Sequence, residues 1–439
     1  MTFRGTRRWI AGALLLAIAC TAREDALPPS TSSSSPSSSA STAPSPSAAD
    51  DELGGGDPNT VRLLPPPGGS FLVRGMFPFV PSPCRDPERP VLTGRFPGTL
   101  RVRRVPDGTM TVTVTLPFDR YLEGIAEVPP SWPAAALEAQ AIAARSYALA
   151  TTGWSGAEGD ALAQPICATT SCQVYRGIPV PHDPDHARWV RAVRRTRGRV
   201  LLDGGRPATT VYFSTSNGRT YANEDVFGSA PLPYLRSVIE RDDGASPTSR
   251  WRVRLPLDDL TTFLRAAGRW PAGSRIRTAA IREGVLTIRG GGTSRSLDTG
   301  ELRDVVNQWA PCLRPRRYPP EEGGHPLPLT IPSRWLHVSV ATEAIVVTGR
   351  GWGHGVGMVQ WGAYGKARRG WSAAEILAFY YGGRRPASTP EPGIIHVLIA
   401  SDLTSLRIVP SRAGARLDGE ILEREPIVVS GGDYLQVQG

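Results

Sequence analysis

Two stretches hold the residue types that do chemistry. In YLEGIAEVPPSWP, Glu127 stands between Ala126 and Val128. An apolar setting desolvates a carboxylate and raises its pKa, as a general acid at neutral pH requires. The helix predicted after it acts the other way, because a helix N-terminus favours the anion. Taken alone, Glu127 reads more readily as a surface or capping residue than as an acid. The second stretch, GRGWGHGVGMVQWGAYG, has glycine at every second position from Gly349 to Gly357. If extended, it places these glycines on one face and Arg350, Trp352, His354 and Val356 on the other. A cation, an indole and an imidazole would line a site for a polar, ring-shaped ligand. A glycine face costs roughly 0.5 to 1 kcal/mol per site and suits close approach of a ligand or of a crossing element.

The elements that must position these residues are legible around them. PPSWPAAALEAQAIAARSYALATT predicts a helix from about Trp132 to Ala150, with Ser131 as cap and Pro133 near its start. Gln140, Ala144 and Tyr147 share one face beside Arg145, which in so apolar a helix suggests a buried polar network. Before it, Thr99–Val102 and Thr109–Val114 alternate as strands around a Pro106-Asp107-Gly108 turn. After it, residues 190–330 mix short strand patterns with a helix at Leu257–Ala267, read as a second lobe. Ser372 and Glu375 form a capping box that opens a helix running through Tyr381 to Gly382-Gly383. Strand patterns return in Ile394–Ile399 and Ile427–Val429. The class is α+β: a mixed, β-rich domain with a few packed helices, two lobes around a cleft, and a β-rich extension at 387–439.

The chain begins with Arg4, Arg7 and Arg8 ahead of an apolar run from Trp9 to Ala19, the pattern of a signal peptide over residues 1–19. Leu16-Ala17-Ile18-Ala19-Cys20 also fits a lipobox, which would lipidate Cys20, anchor the protein to a membrane and cut the same bond. Pro28–Ala49 is almost wholly Ser, Pro, Ala and Thr, too poor in apolar surface to fold. Residues 20–67 therefore read as a tether, and 68–386 as the main domain. Five cysteines suit an oxidising compartment if Cys20 is lipidated. Of the three pairings left to Cys84, Cys167, Cys172 and Cys312, proximity favours Cys167–Cys172 with Cys84–Cys312. A metal site is the alternative for the near pair.

The net charge of +10 falls to +7 once the three N-terminal arginines are removed. Lys366 is the chain's lone lysine and the arginines are dispersed. That argues against a nucleic-acid partner and suits an anionic polymer or membrane face.

Together, YLEGIAEVPPSWPAAALEAQAIAARSYAL and GRGWGHGVGMVQWGAYGKARRG resemble the signature blocks of the SpoIID/LytB family, the stage II sporulation protein D-like domain. VYFSTSNGRT with VFGSAPLPYLRSV, and ICATTSCQVYRG, resemble two further blocks, so that the likeness spans residues 95–385. The resemblance implies an exported protein of the cell envelope that acts on peptidoglycan glycan strands. Sporulation members of the family are lytic transglycosylases, which cleave between N-acetylmuramic acid and N-acetylglucosamine. Others modify a cell-wall amidase, the alternative reading here.

By its place in the block, Glu127 matches the family's catalytic glutamate. His354, Gln360, Ser214, Ser216 and Arg145 would position the sugars, with Gln140, Tyr147, Arg350 and Trp352 lining the site. No cofactor is expected. Some members bind zinc through a histidine beside the second cysteine, but that position here is Ser171, with His182 and His186 further on as substitutes in principle. Val359 departs from the serine often found in the glycine block.

Overall fold

The computed structural model describes residues 57–76, 92–154, 156–177, 185–282, 285–319, 321–322, 325–326, 329–422 and 425–438. The expected signal peptide and most of the tether, with Cys20, Cys84 and His182, lie outside the described residues. The helices are α1 (Phe118–Glu123), α2 (Ala134–Thr151), α3 (His186–Arg195), α4 (Asn223–Phe227), α5 (Leu257–Ala266), α6 (Thr299–Leu313), α7 (Gln360–Arg368) and α8 (Ala373–Tyr380). With the sheets around them they make an α+β fold.

The predicted hairpin forms from Thr99–Arg104 and Met110–Pro117. Met110, Val112, Val114 and Leu116 alternate into the core, and Gly108 takes φ +83° in the turn. These strands are central in a seven-stranded sheet. Its order is Glu420–Leu422, Ala415–Leu417, Thr60–Leu64, Thr99–Arg104, Met110–Pro117, Ile394–Leu403, Ile166–Cys167. Only the last pair is parallel. A five-stranded antiparallel sheet joins Ser405–Pro410, Ile427–Ser430 and Gln436–Gln438 to Phe71–Met76 and Leu92–Phe96. The segment read as a C-terminal extension is thus built into the middle of the main core. Ile395, Val397, Leu403 and Ile408 are fully buried there.

The second lobe falls at 251–349 rather than 190–330. Strands Trp251–Pro256, Ala344–Gly349 and Leu336–Ala341 form one small sheet, and 278–282, 285–290 and 293–297 another. With α5 and α6 they enclose a separate core that includes Leu260, Phe263, Ile288, Val306 and Ile345. This unit returns the chain at Gly349 to the glycine-rich stretch.

Helix α2 is apolar almost all round because it lies between two cores. Leu137, Ala141, Ala144 and Ala148 pack into the sheet core, and Ala139, Ile142 and Ala143 into the core of α7 and α8. Alanine is the side chain that lets one helix sit close to both. Its N-cap is Pro133, and Ser131 makes no cap. The capping box of α8 is present: Ser372 Oγ accepts from Glu375 N at 3.3 Å, and Glu375 Oε2 accepts from Ser372 N at 2.8 Å. Helix α7 is fixed by Lys366, which is 1% exposed. Its Nζ donates to both Glu240 carboxylate oxygens at 2.9 and 3.1 Å and to Asp242 Oδ2 at 2.8 Å. The ammonium also lies 4.2 Å from the centre of the Phe379 ring.

Candidate active site

Glu127 follows α1 on a short segment held against residues 174–176. Ile125 bridges Tyr175, and Ala126 N donates to Val174 O at 2.9 Å. Val174 N returns a hydrogen bond to Glu127 Oε1 at 2.7 Å. The side chain of Glu127 is 5% exposed. Burial pushes its pKa up to about 7, against the Val174 N–H, then Gln360, the Arg176 guanidinium and Tyr212. Such a carboxyl holds its proton for about half the time at neutral pH, so one group can first donate and then accept.

Three elements meet around this carboxyl. Gln360, the first residue of α7, brings Nε2 to 3.4 Å from the Glu127 carbonyl oxygen and to 3.4 Å from Gln140 Oε1 on α2. The Tyr212 hydroxyl, from strand Tyr212–Phe213, interacts with Glu127 and donates to Gln173 Oε1 at 2.7 Å. Gln173 is fully buried, and its Nε2 donates to Tyr121 Oη at 3.1 Å and to the Ala144 carbonyl at 3.2 Å. Tyr121, Gln173, Arg176 and Tyr212 join the network around Glu127 but were not among the residues singled out from the sequence. Gln173 and Arg176 stand in the ICATTSCQVYRG block, where the cysteines draw the attention, and Tyr212 stands two residues before Ser214 in a block read for its serines.

The other expected site residues make the following contacts. Arg145, buried, donates to Val193 O at 3.1 Å and to Arg199 O and Thr196 Oγ1 at 3.3 Å, and pairs with Glu391 at 3.3 Å. It ties α2 to α3 and to the C-terminal segment. Ser214 is buried, with its carbonyl taking the Trp361 N–H at 3.0 Å. Ser216 donates through N and Oγ to Asp243 Oδ2, each at 2.7 Å. Tyr147 is half-buried against the sheet core. Arg350 is exposed, and its backbone binds Trp335 and Ser333. Trp352 is buried and bridges Thr215 through its main chain.

The glycine-rich stretch is not an extended strand. Gly351, Gly353, Gly355 and Gly357 all have positive φ, from +76° to +115°. The alternation therefore encodes repeated left-handed turns, and the shared glycine face does not exist. His354 is held against the Tyr212 backbone, with Nε2 2.9 Å from Tyr212 O and Nδ1 3.1 Å from Val356 N. Because Nδ1 must accept from an N–H, Nε2 carries the proton and donates to the carbonyl. Both ring nitrogens are thus used, and burial lowers the pKa to about 4. Nitrogen chemical shifts should show a neutral, Nε2-protonated ring from pH 8 down to 5; a ring that titrates near 6.5 would restore His354 as a candidate acid or base.

Cys167 and Cys172 form a disulfide with Cα atoms 5.5 Å apart. Their sulfurs are spent on each other, so this pair does not fit a zinc site. Cys312 is also disulfide-bonded; Cys84, the partner expected for it, lies outside the described residues. The Cys167–Cys172 bridge ends one residue before Gln173 and two before Val174, the two residues that hold Tyr212 and Glu127. Cys172→Ser should lower stability by about 2 kcal/mol, read by denaturant unfolding. It should also move the apparent pKa of Glu127, which an unchanged pH profile of activity would refute.

Residues 106–202 match the stage II sporulation protein family. An uncharacterized protein of Brachyspira hyodysenteriae is 30% identical over 279 residues, covering 63% of this chain and 68% of that protein. Stage II sporulation protein D of Bacillus subtilis is 26% identical over 288 residues, covering 61% of this chain and 74% of that protein. The amidase enhancer of Bacillus subtilis is 27% identical over 310 residues, covering 58% of this chain but 38% of that longer protein.

Proposed function

The chain belongs to the stage II sporulation protein D family, and from that premise we propose that it is an exported, peptidoglycan-active lytic transglycosylase with Glu127 as its acid and base. The observation that carries this reading is one buried carboxyl with a pKa of about 7, braced by a backbone N–H and two glutamine-bearing helices. As an acid, Glu127 protonates the glycosidic oxygen while the bond from C1 of N-acetylmuramic acid breaks. As a base, it takes the proton of the 6-hydroxyl while that oxygen closes on C1, giving a 1,6-anhydro ring and restoring the starting carboxylic acid. No water enters, so no second carboxylate is required.

The likeness to an amidase enhancer supports a second reading, in which the same site binds glycan and the protein stimulates a separate cell-wall amidase. Incubation with purified glycan strands followed by mass spectrometry separates the two. The transglycosylase yields 1,6-anhydro ends. Binding without such ends, together with faster peptide release by an added amidase, supports the enhancer.

A further inference from the structure

Two buried donors on side chains linked to Glu127 have no acceptor among the described residues: Gln140 Nε2, whose side chain reaches Glu127 through Gln360, and Arg176 Nε. Gln140 is 1% exposed, and its Oε1 takes the Gln360 amide, so the nitrogen is the end left over. Arg176 is the cation whose charge reaches Glu127, and its backbone N–H is fixed on Gly124 O at 3.0 Å. A buried donor without an acceptor is destabilising. Others lie away from the site, Arg295 Nε and Trp309 Nε1 among them, but these two stand on elements that carry or brace Glu127, where a bound ligand would satisfy them. Both groups only donate. A hydroxyl can accept too but needs a further acceptor for its own hydrogen, whereas a carbonyl-type oxygen brings lone pairs alone. Aromatic side chains adjoin the same elements: Trp361 follows Gln360, lies 4.9 Å from Trp132 of the Glu127 loop, and is 5.3 Å from Tyr364. Trp361 and Tyr364 are only half-buried, a surface for the apolar face of a pyranose.

Resting on the glycan reading above, we propose that Gln140 and Arg176 form a subsite for a carbonyl-type oxygen of the sugar at the scissile bond, either an acetamido oxygen or the lactyl carboxylate of N-acetylmuramic acid. With the acetamido oxygen in that place, the site selects N-acetylated glycan. A de-N-acetylated sugar offers an ammonium in place of the acceptor, and Arg176 repels it.

The test titrates the full chain with tetra-N-acetylchitotetraose, with its de-N-acetylated form, and with a tetrasaccharide of alternating N-acetylglucosamine and N-acetylmuramic acid, following tryptophan fluorescence. For the acetamido oxygen, both N-acetylated ligands should bind at least about tenfold more tightly than the de-N-acetylated one; for the carboxylate, only the muramic-acid ligand should. Gln140→Leu and Arg176→Met should each weaken that binding by about tenfold. Thermal midpoints should change little, because each variant removes an unpaired buried donor while Gln140→Leu also gives up the 3.4 Å contact with Gln360. Gln140→Met and Arg176→Gln replace any variant that fails to fold.

A loss confined to the muramic-acid ligand assigns the oxygen to the carboxylate, and a loss shared with chitotetraose assigns it to the acetamido group. Variants that bind all three ligands as the parent does overturn the proposal. Failure of the transglycosylase reading looks different: glycan is still bound with this preference, but no 1,6-anhydro ends form.

Discussion

Glu127→Gln should lower the yield of 1,6-anhydro ends by about 10² to 10⁴-fold while glycan binding persists, since a positioned general acid and base contributes on that order. Gln keeps an oxygen for the Val174 N–H but has no proton to give at neutral pH. The same replacement has a pH-dependent effect on stability whose sign is opposite to that of a salt-bridged carboxylate. In the folded protein the Glu127 pKa is raised from 4.5 to about 7, so the folded state holds the extra proton between those values. Stability contributed by the neutral group is therefore intact below about 4.5 and is lost as pH rises through 7, by up to about 3 kcal/mol. Glu127→Gln escapes that loss. It should match the parent protein near pH 4.5 and exceed it above pH 8, by denaturant unfolding at both values. Activity of the parent should also fall as pH rises past 7. A variant that is equally destabilised at both pH values, or that still makes anhydro ends, removes Glu127 from the role.

What was legible from sequence was local. The 99–117 hairpin rests on strict alternation and a Pro-Asp-Gly turn, and the α8 capping box on two residues three apart; both read correctly because the forces that fix them act within one element. Gln140, named for its place in an alanine-rich helix, and Gln360, named for its place in a signature block, meet each other, and Gln360 meets the Glu127 carbonyl. The rest depends on pairings distant in the chain. Ile394–Leu403 has an ordinary strand pattern, and nothing in it reveals that its neighbours are Met110–Pro117 and Ile166–Cys167. The contacts of Arg145 were not legible because its three carbonyl and carboxylate partners, Val193, Arg199 and Glu391, lie 48 or more residues away. Tyr212 was missed because a tyrosine in an apolar strand gives no sign that its hydroxyl will meet Gln173.

The glycine alternation was the strongest signal and the one most misread, and Gly357→Ala tests the corrected reading. Period-two glycine fits a flat face or a run of left-handed turns equally well, and only backbone angles decide between them. Gly357 has φ +76°, and a Cβ there would stand 2.0 Å from Val211 O. That carbonyl cannot easily retreat, because it accepts from Met358 N at 3.2 Å and from the Tyr381 hydroxyl at 2.9 Å. Left-handed strain of about 1 to 2 kcal/mol thus adds to a backbone clash, and the total should exceed about 4 kcal/mol. The damage should reach the chemistry, because Met358 pairs with Tyr212, whose hydroxyl lies against Glu127. Gly370 is the control. It has φ +89° but nothing within 4 Å of an added Cβ, so Gly370→Ala should cost only the strain. Thermal and denaturant unfolding of the two variants decides the matter. If Gly357→Ala is no worse than Gly370→Ala yet has lost glycan binding, the glycines serve ligand approach after all; if it unfolds far more easily, they are there because the Val211 carbonyl and its strand must pass where a side chain would be.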